Sequence, residues 1–164
     1  MKAFRFTLFS LSIITLLCSS SCDTSEELVE GSVEPPRHLE IEQINQAVLT
    51  GNGDEPVGSE KGYVIQTQTE WEDLREKMNA VNDTQGQVSI DFEESTVLAY
   101  FDKIRPNGGY SIEIVQVIES DEMIKAVYRS TAPGGVATTI MTQPFHIVNI
   151  PKTEKAVKFL PITE

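Results

Sequence analysis

Arg105-Pro106-Asn107-Gly108-Gly109-Tyr110 joins the two most strand-like runs of the chain, residues 96–104 and 110–119. Pro106 presets φ for the first corner of a β-turn, Asn107 tolerates the second, and Gly108 takes positive φ at no steric cost. A tight hairpin pairing the two runs is therefore expected. Gly109 goes beyond what a turn requires. A second glycine between an arginine and a tyrosine leaves backbone open to a close neighbour. The stretch reads equally well as a recognition loop or as a structural turn with Tyr110 in the core and Arg105 bonded to loop carbonyls.

Working outward, Val97, Leu98, Ala99, Tyr100 and Phe101 are apolar on both alternating faces, which marks a strand buried on both sides. Downstream, Tyr110, Ile112 and Ile114 alternate, and then the apolar set moves to Val115 and Val117. That change of phase predicts a β-bulge near Val115. Residues 120–122 form a turn and 123–129 return as a strand. A loop follows through Thr142, containing Gly134-Gly135, and residues 145–150 and 157–160 supply two last strands. Upstream, Leu39, Ile41, Ile44, Ala47, Val48 and Leu49 fit a strand with an irregularity, and residues 63–65 a short one.

One helix is specified, over about residues 70–81. Thr69 and Glu72 form a T-x-x-E capping box, and Trp71, Leu74, Met78 and Val81 recur at helical spacing. Charged residues cover the opposite side, so the helix lays an apolar stripe on a sheet. The expected fold class is α+β: a mainly antiparallel β-sheet with one amphipathic helix packed on it.

The chain has 164 residues and a formal net charge of −12. Its first 21 residues read as a signal peptide of the lipoprotein type, with Lys2 and Arg5 before an apolar run and small residues before Cys22. Cys22 is the expected lipidated residue, with Cys18 the weaker candidate. Ser19 departs from the usual bulky residue at that place, so cleavage by an ordinary signal peptidase is the alternative. Residues 22–37 read as a flexible acidic tether ending in Pro35-Pro36. Acidic residues directly behind the cysteine also resemble the signal that some Gram-negative bacteria of the Bacteroidetes type use to send lipoproteins to the cell surface. Residues 38–164 remain as a single domain. The expected location is outside the cytoplasm, on the outer membrane or cell surface of a Gram-negative bacterium, with the N-terminal lipid making the membrane contact.

Both cysteines lie in or at the end of the leader, so the domain has no disulfide, thiolate metal site or cysteine nucleophile. Removing the leader takes two basic residues and no acidic one, which makes the chain more acidic still. A field of that sign repels nucleic acid, so no nucleic-acid partner is expected. His38 and His146 are the only histidines, and the motifs of common nucleophilic, zinc or nucleotide sites are absent. His146, between Phe145 and Ile147, reads as a hydrogen-bonded core or edge histidine. Asn52, Asp54 and Glu55 are oxygen ligands without the spacing of a calcium loop. No enzyme activity, metal or cofactor is expected.

Gly62-Tyr63-Val64-Ile65, Glu70-Trp71-x-x-Leu74, Asp91-Phe92, Val97-Leu98-Ala99, the stretch from Arg105 to Tyr110, Pro133-Gly134, Pro144-Phe145-His146-Ile147-Val148 and Ile150-Pro151-Lys152 together resemble the C-terminal domain of the protease complex subunit PrcB family. The resemblance spans about residues 62–161. It implies a non-enzymatic exported accessory domain that assembles with an exported protein, a subtilisin-like protease being the implied partner, and stabilises it. Arg105, Asn107, Gly108, Gly109 and Tyr110 are the candidate partner-binding residues, since exposed backbone donors beside Arg and Tyr suit an extended peptide or a protein loop. Two alternatives stand beside this reading: a protease inhibitor acting through the loop of residues 131–142, and an envelope protein binding a small ligand or glycan.

Overall fold

The computed structural model describes residues 34–50, 57–79 and 88–162. The leader, most of the stretch read as a tether, residues 51–56 with Asn52, Asp54 and Glu55, Val81 and the expected helix end at 82–86 lie outside the described residues. The elements in order are β1 (Arg37–His38), β2 (Glu42–Thr50), β3 (Lys61–Ile65), α1 (Gln68–Asn79), β4 (Ser95–Phe101), β5 (Ser111–Glu119), β6 (Met123–Thr131), β7 (Thr142–Pro151) and β8 (Ala156–Pro161). The α+β class holds, with the strands divided between two four-stranded sheets, β1-β5-β6-β8 and β2-β7-β4-β3. Every pairing is antiparallel except β6 with β8.

The second sheet is the middle of three layers, and the alternation of its side chains shows why. On β4, Val97, Ala99 and Phe101 point to one face and join Trp71, Leu74 and Met78 of α1. Leu98 and Tyr100 point to the other and meet Ile112, Ile114 and Val117 of β5 with Ile124 and Ala126 of β6. β7 repeats the pattern, with Phe145 and Ile147 toward the helix and Val148 and Ile150 toward the first sheet. A strand covered on both faces must be apolar at every position, which is what residues 97–101 are. Each fully buried large side chain in these clusters contributes about 1.5–3 kcal/mol relative to exposure.

The hairpin expected at residues 105–110 does not form. β4 is hydrogen-bonded to β3 along one edge and β7 along the other, so it has no edge left for β5. The 102–110 segment instead crosses from the central sheet to the outer one, where β5 pairs with β6. Positive φ falls at Gly109 (+85°) rather than at Gly108.

The expected bulge is present: the β5–β6 register shifts between Ile114 and Gln116, which turns Val117 inward where Gln116 would otherwise have gone. The irregularity in β2 lies between Gln43 and Asn45. The helix begins at Gln68, and its capping box lies two residues earlier than Thr69 and Glu72. Thr67 Oγ1 accepts from Glu70 N at 3.3 Å, while Glu70 Oε2 accepts from Thr67 N at 3.2 Å and from Gln66 N at 2.9 Å. These donors hold the Glu70 carboxyl below its ordinary pKa, the Gln66 N–H bond being the largest cause. The chain offers two overlapping T-x-x-E boxes, and the earlier one leaves Trp71 one turn inside the helix, facing the sheet.

The first described residues are held at the β5–β6 turn. Glu34 N donates to Asp121, Arg37 pairs with Glu119 at 2.5 Å, and Lys155 reaches the same carboxylate at 2.9 Å. Residues 34–37 of the stretch read as a tether therefore lie against the outer sheet.

Candidate functional site

Arg105 to Tyr110 and the loop that follows β6 are built as one unit. Arg105 N donates to Thr142 O at 2.7 Å and Thr142 N returns a bond to Arg105 O at 3.0 Å, an isolated antiparallel bridge. Gly108 N donates to Thr138 O at 2.9 Å, and Thr142 Oγ1 donates to Asn107 O at 2.9 Å. The two loops are thus clasped by three backbone–backbone hydrogen bonds and one from the Thr142 side chain. The second glycine now has a physical reason: a Cβ on Gly108 would stand 2.5 Å from Thr138 Oγ1, and one on Gly109 2.8 Å from Pro133 Cβ. The close neighbour for which this backbone is bare is the chain's own 133–138 segment.

Arg105 is fixed from below. Its Nη2 lies 2.6 Å from Asp102 Oδ2 and its Nε donates to the same oxygen at 2.8 Å, with side-chain exposures of 18% for Arg105 and 3% for Asp102. Nη2 also reaches Ser130 Oγ at 3.2 Å, and the guanidinium sits 4.5 Å from the Tyr110 ring centroid. Asp102 Oδ1 accepts from Lys103 N at 2.9 Å. The carboxylate sits here because β4 runs straight into the crossover, which places the next inward position after Tyr100 at the rim of the core. A buried carboxylate with a charged two-contact partner is a rigid support.

Of the candidate residues, Gly108 is buried, Arg105, Asn107 and Tyr110 are half-buried, and Gly109 is exposed. What stands out to solvent is the loop they carry. Val136 is fully exposed at 108%, and Ile140 and Met141 of the same loop are exposed as well. Residues 130–151 contain no Asp, Glu, Lys or Arg in a chain that is 23% charged. That charge gap was the available signal for this surface. Asp102, missed in the sequence reading, was signalled by an acid at the end of an otherwise apolar strand.

A second polar cluster borders the first. Tyr100 and Tyr128 stack with centroids 4.0 Å apart, and both hydroxyls donate to Glu60 Oε1, at 2.7 and 3.4 Å. Burial and the shared carboxylate push the Tyr100 phenol far above its ordinary range, so it stays a hydrogen-bond donor.

His146 sits on β7 facing the outer sheet and is buried. Its Nδ1 accepts from Ile114 N at 2.7 Å, and Gln46 Nε2 donates to Ile112 O at 2.8 Å. Two side chains of the central sheet thus satisfy the backbone of β5 beside its bulge, as the sequence reading of His146 expects. Burial pulls the His146 pKa down, and the negative charge of Glu113 opposes this only in part. Protonating Nδ1 would also remove the acceptor. With the folded pKa below the unfolded one, the unfolded chain binds the proton first as pH falls. This contribution to stability is complete above the unfolded value of about 6.5 and is lost on acidification toward the folded value, at up to about 1.4 kcal/mol per pH unit. Urea denaturation at pH 7.5 and 5.5 checks this: the wild-type midpoint should drop more than that of His146→Gln.

Among the described residues no group of three His, Cys, Asp or Glu is arranged to hold a metal ion. A cleft lined by Glu40, Glu42, Glu94 and Asn149 lies at the far end of β7, where Asn149 Nδ2 donates to Glu42 and Ser95 at 3.2 Å each. No curated protein and no solved structure matches the chain. Residues 96–151, which run from the second residue of β4 to the end of β7 and contain both clasped loops, match the family model described as PrcB C-terminal.

Proposed function

We propose that this chain is a non-enzymatic accessory domain that binds an exported protein through the clasped loops. The family description suggests a role beside a protease complex. On this reading the partner is a subtilisin-like protease, and Cys22, once lipidated, anchors the domain at the outer membrane or cell surface. The observation that carries the reading is a rigidly supported loop that holds apolar side chains out in water. Such side chains gain from being covered by a partner, and contiguous ones mark interaction sites. Arg105, Asn107, Gly108, Gly109 and Tyr110 serve as the base, with Gly109 and the edge of Tyr110 available at the rim.

The test is co-purification of the mature chain with envelope proteins and assay of the recovered protease. Asp102→Asn with Arg105→Gln keeps the buried charge balanced, and adding Tyr110→Ala removes the platform. Recovery of the partner is expected to fall about tenfold in the triple variant, equivalent to about 1.4 kcal/mol. Undiminished recovery would count against these residues. The exposed 131–141 loop also favours the inhibitor reading. Mixing separates the two: an accessory domain prolongs the protease's activity, and an inhibitor abolishes it at one-to-one stoichiometry.

A further inference from the structure

Six glycines fall among the described residues, and four of them have an internal reason. Gly58 and Gly109 carry φ of +96° and +85°. A Cβ on Gly62 would run into the Phe159 ring, and one on Gly108 into Thr138. Gly134 and Gly135 are different. Nothing lies within 4 Å of a Cβ built on either, and neither has φ in the left-handed range. Among the described residues nothing makes use of their bareness. They immediately precede Val136, the most exposed large apolar side chain of the described residues, in a loop held by backbone at Thr138 and Thr142.

Glycine that no internal neighbour requires is useful where foreign backbone or a foreign wall must come close. The uncharged character of the mostly exposed residues 130–141 in a chain of net charge −12 points the same way, because the desolvated centre of an interface is depleted of charge. A partner that recognised this protein by its acidity would meet it elsewhere.

Resting on the binding role proposed above, we infer that the 133–141 loop enters an uncharged, apolar-walled cleft of a partner protein. Val136 is the seated side chain, and Gly134 and Gly135 lie against the cleft wall. The arrangement is one-sided: the Arg105 platform holds the loop, and the loop makes the contact.

The test places the photo-crosslinker p-benzoylphenylalanine at position 136 of the full chain in exporting cells, with position 76 on the exposed side of α1 as control. The expected result is an adduct specific to position 136, whose crosslinked peptide on the partner is uncharged and apolar. Gly134→Leu and Gly135→Leu, whose Cβ atoms would meet no described residue within 4 Å, should keep the wild-type melting temperature and cut the adduct about tenfold. An adduct that persists in both leucine variants, appears equally from position 76, or maps to a charged surface, to lipid or to a second copy of this chain overturns the inference. If position 136 gives no adduct while co-purification still depends on Tyr110, the loop assignment alone fails. If both are lost, the binding role fails with it.

Discussion

Arg105→Leu is expected to lower the stability of the domain by about 3 kcal/mol, because it strands a buried carboxylate. Asp102 is 3% exposed at its side chain, and its Oδ2 has both of its contacts with Arg105. Without the guanidinium, the carboxylate must either stay charged in a poor medium or take up a proton. The double variant Asp102→Asn with Arg105→Gln should recover most of the loss, since a neutral amide pair preserves hydrogen bonding without a charge to desolvate. Urea denaturation midpoints of Arg105→Leu and of the double variant measure this directly. A single variant within about 0.5 kcal/mol of wild type would show that the pair behaves as a surface ion pair. Tenfold weaker partner binding with stability restored would place Arg105 in recognition as well as in support.

Trp71→Ala is expected to cost about 4 kcal/mol, the range for truncating a large buried aromatic. Trp71 is 1% exposed and is surrounded by Leu74, Met78, Phe101 and Phe145. Its loss removes most of what fastens α1 to the central sheet. Trp71→Phe should cost much less, about 1–2 kcal/mol, for a reason beyond volume. The indole Nε1 is buried and has no hydrogen-bond partner among the described residues, so phenylalanine deletes an unsatisfied donor while it leaves a smaller gap. Thermal unfolding of both variants checks the order. Equal losses would mean that the indole N–H contributes to stability.

Side-chain pattern made the layers legible, and local turn chemistry misplaced one connection. The unbroken apolar run of β4, the helical spacing of Trp71, Leu74 and Met78, and the phase change at Val115 each report burial, and burial is what the fold decides first. The Pro106-Asn107-Gly108 turn reports only how the chain bends. Whether the flanking strands then pair depends on which edges are free, and β7, distant in sequence, occupies the edge of β4 that β5 would have used. The same distance hid the site. Gly108 and Gly109 look like an opening for a ligand until Thr138 and Pro133 are brought onto them by the return of the chain into β7. The capping box was ambiguous because Thr67-x-x-Glu70 and Thr69-x-x-Glu72 overlap, and only packing of the tryptophan separates them. The parallel placement of β8 left no trace in its sequence, since its apolar residues suit either direction.

The outer sheet takes its flanking strands from opposite ends of the described chain, with β1 at residues 37–38 and β8 at 156–161. In the central sheet, β2 and β4 are joined only by β7 between them. A chain made from its N-terminus therefore leaves β2 unpaired, one edge of β4 open and the core under α1 without Phe145 and Ile147 until β7 is made. Neither sheet is complete until the last quarter of the sequence has emerged, so folding is a late, single event rather than a progressive one. Loss of β8 by premature termination would leave β6 with an open edge and Gly62 uncovered by Phe159, and would present the cell with an adhesive chain rather than a shorter domain.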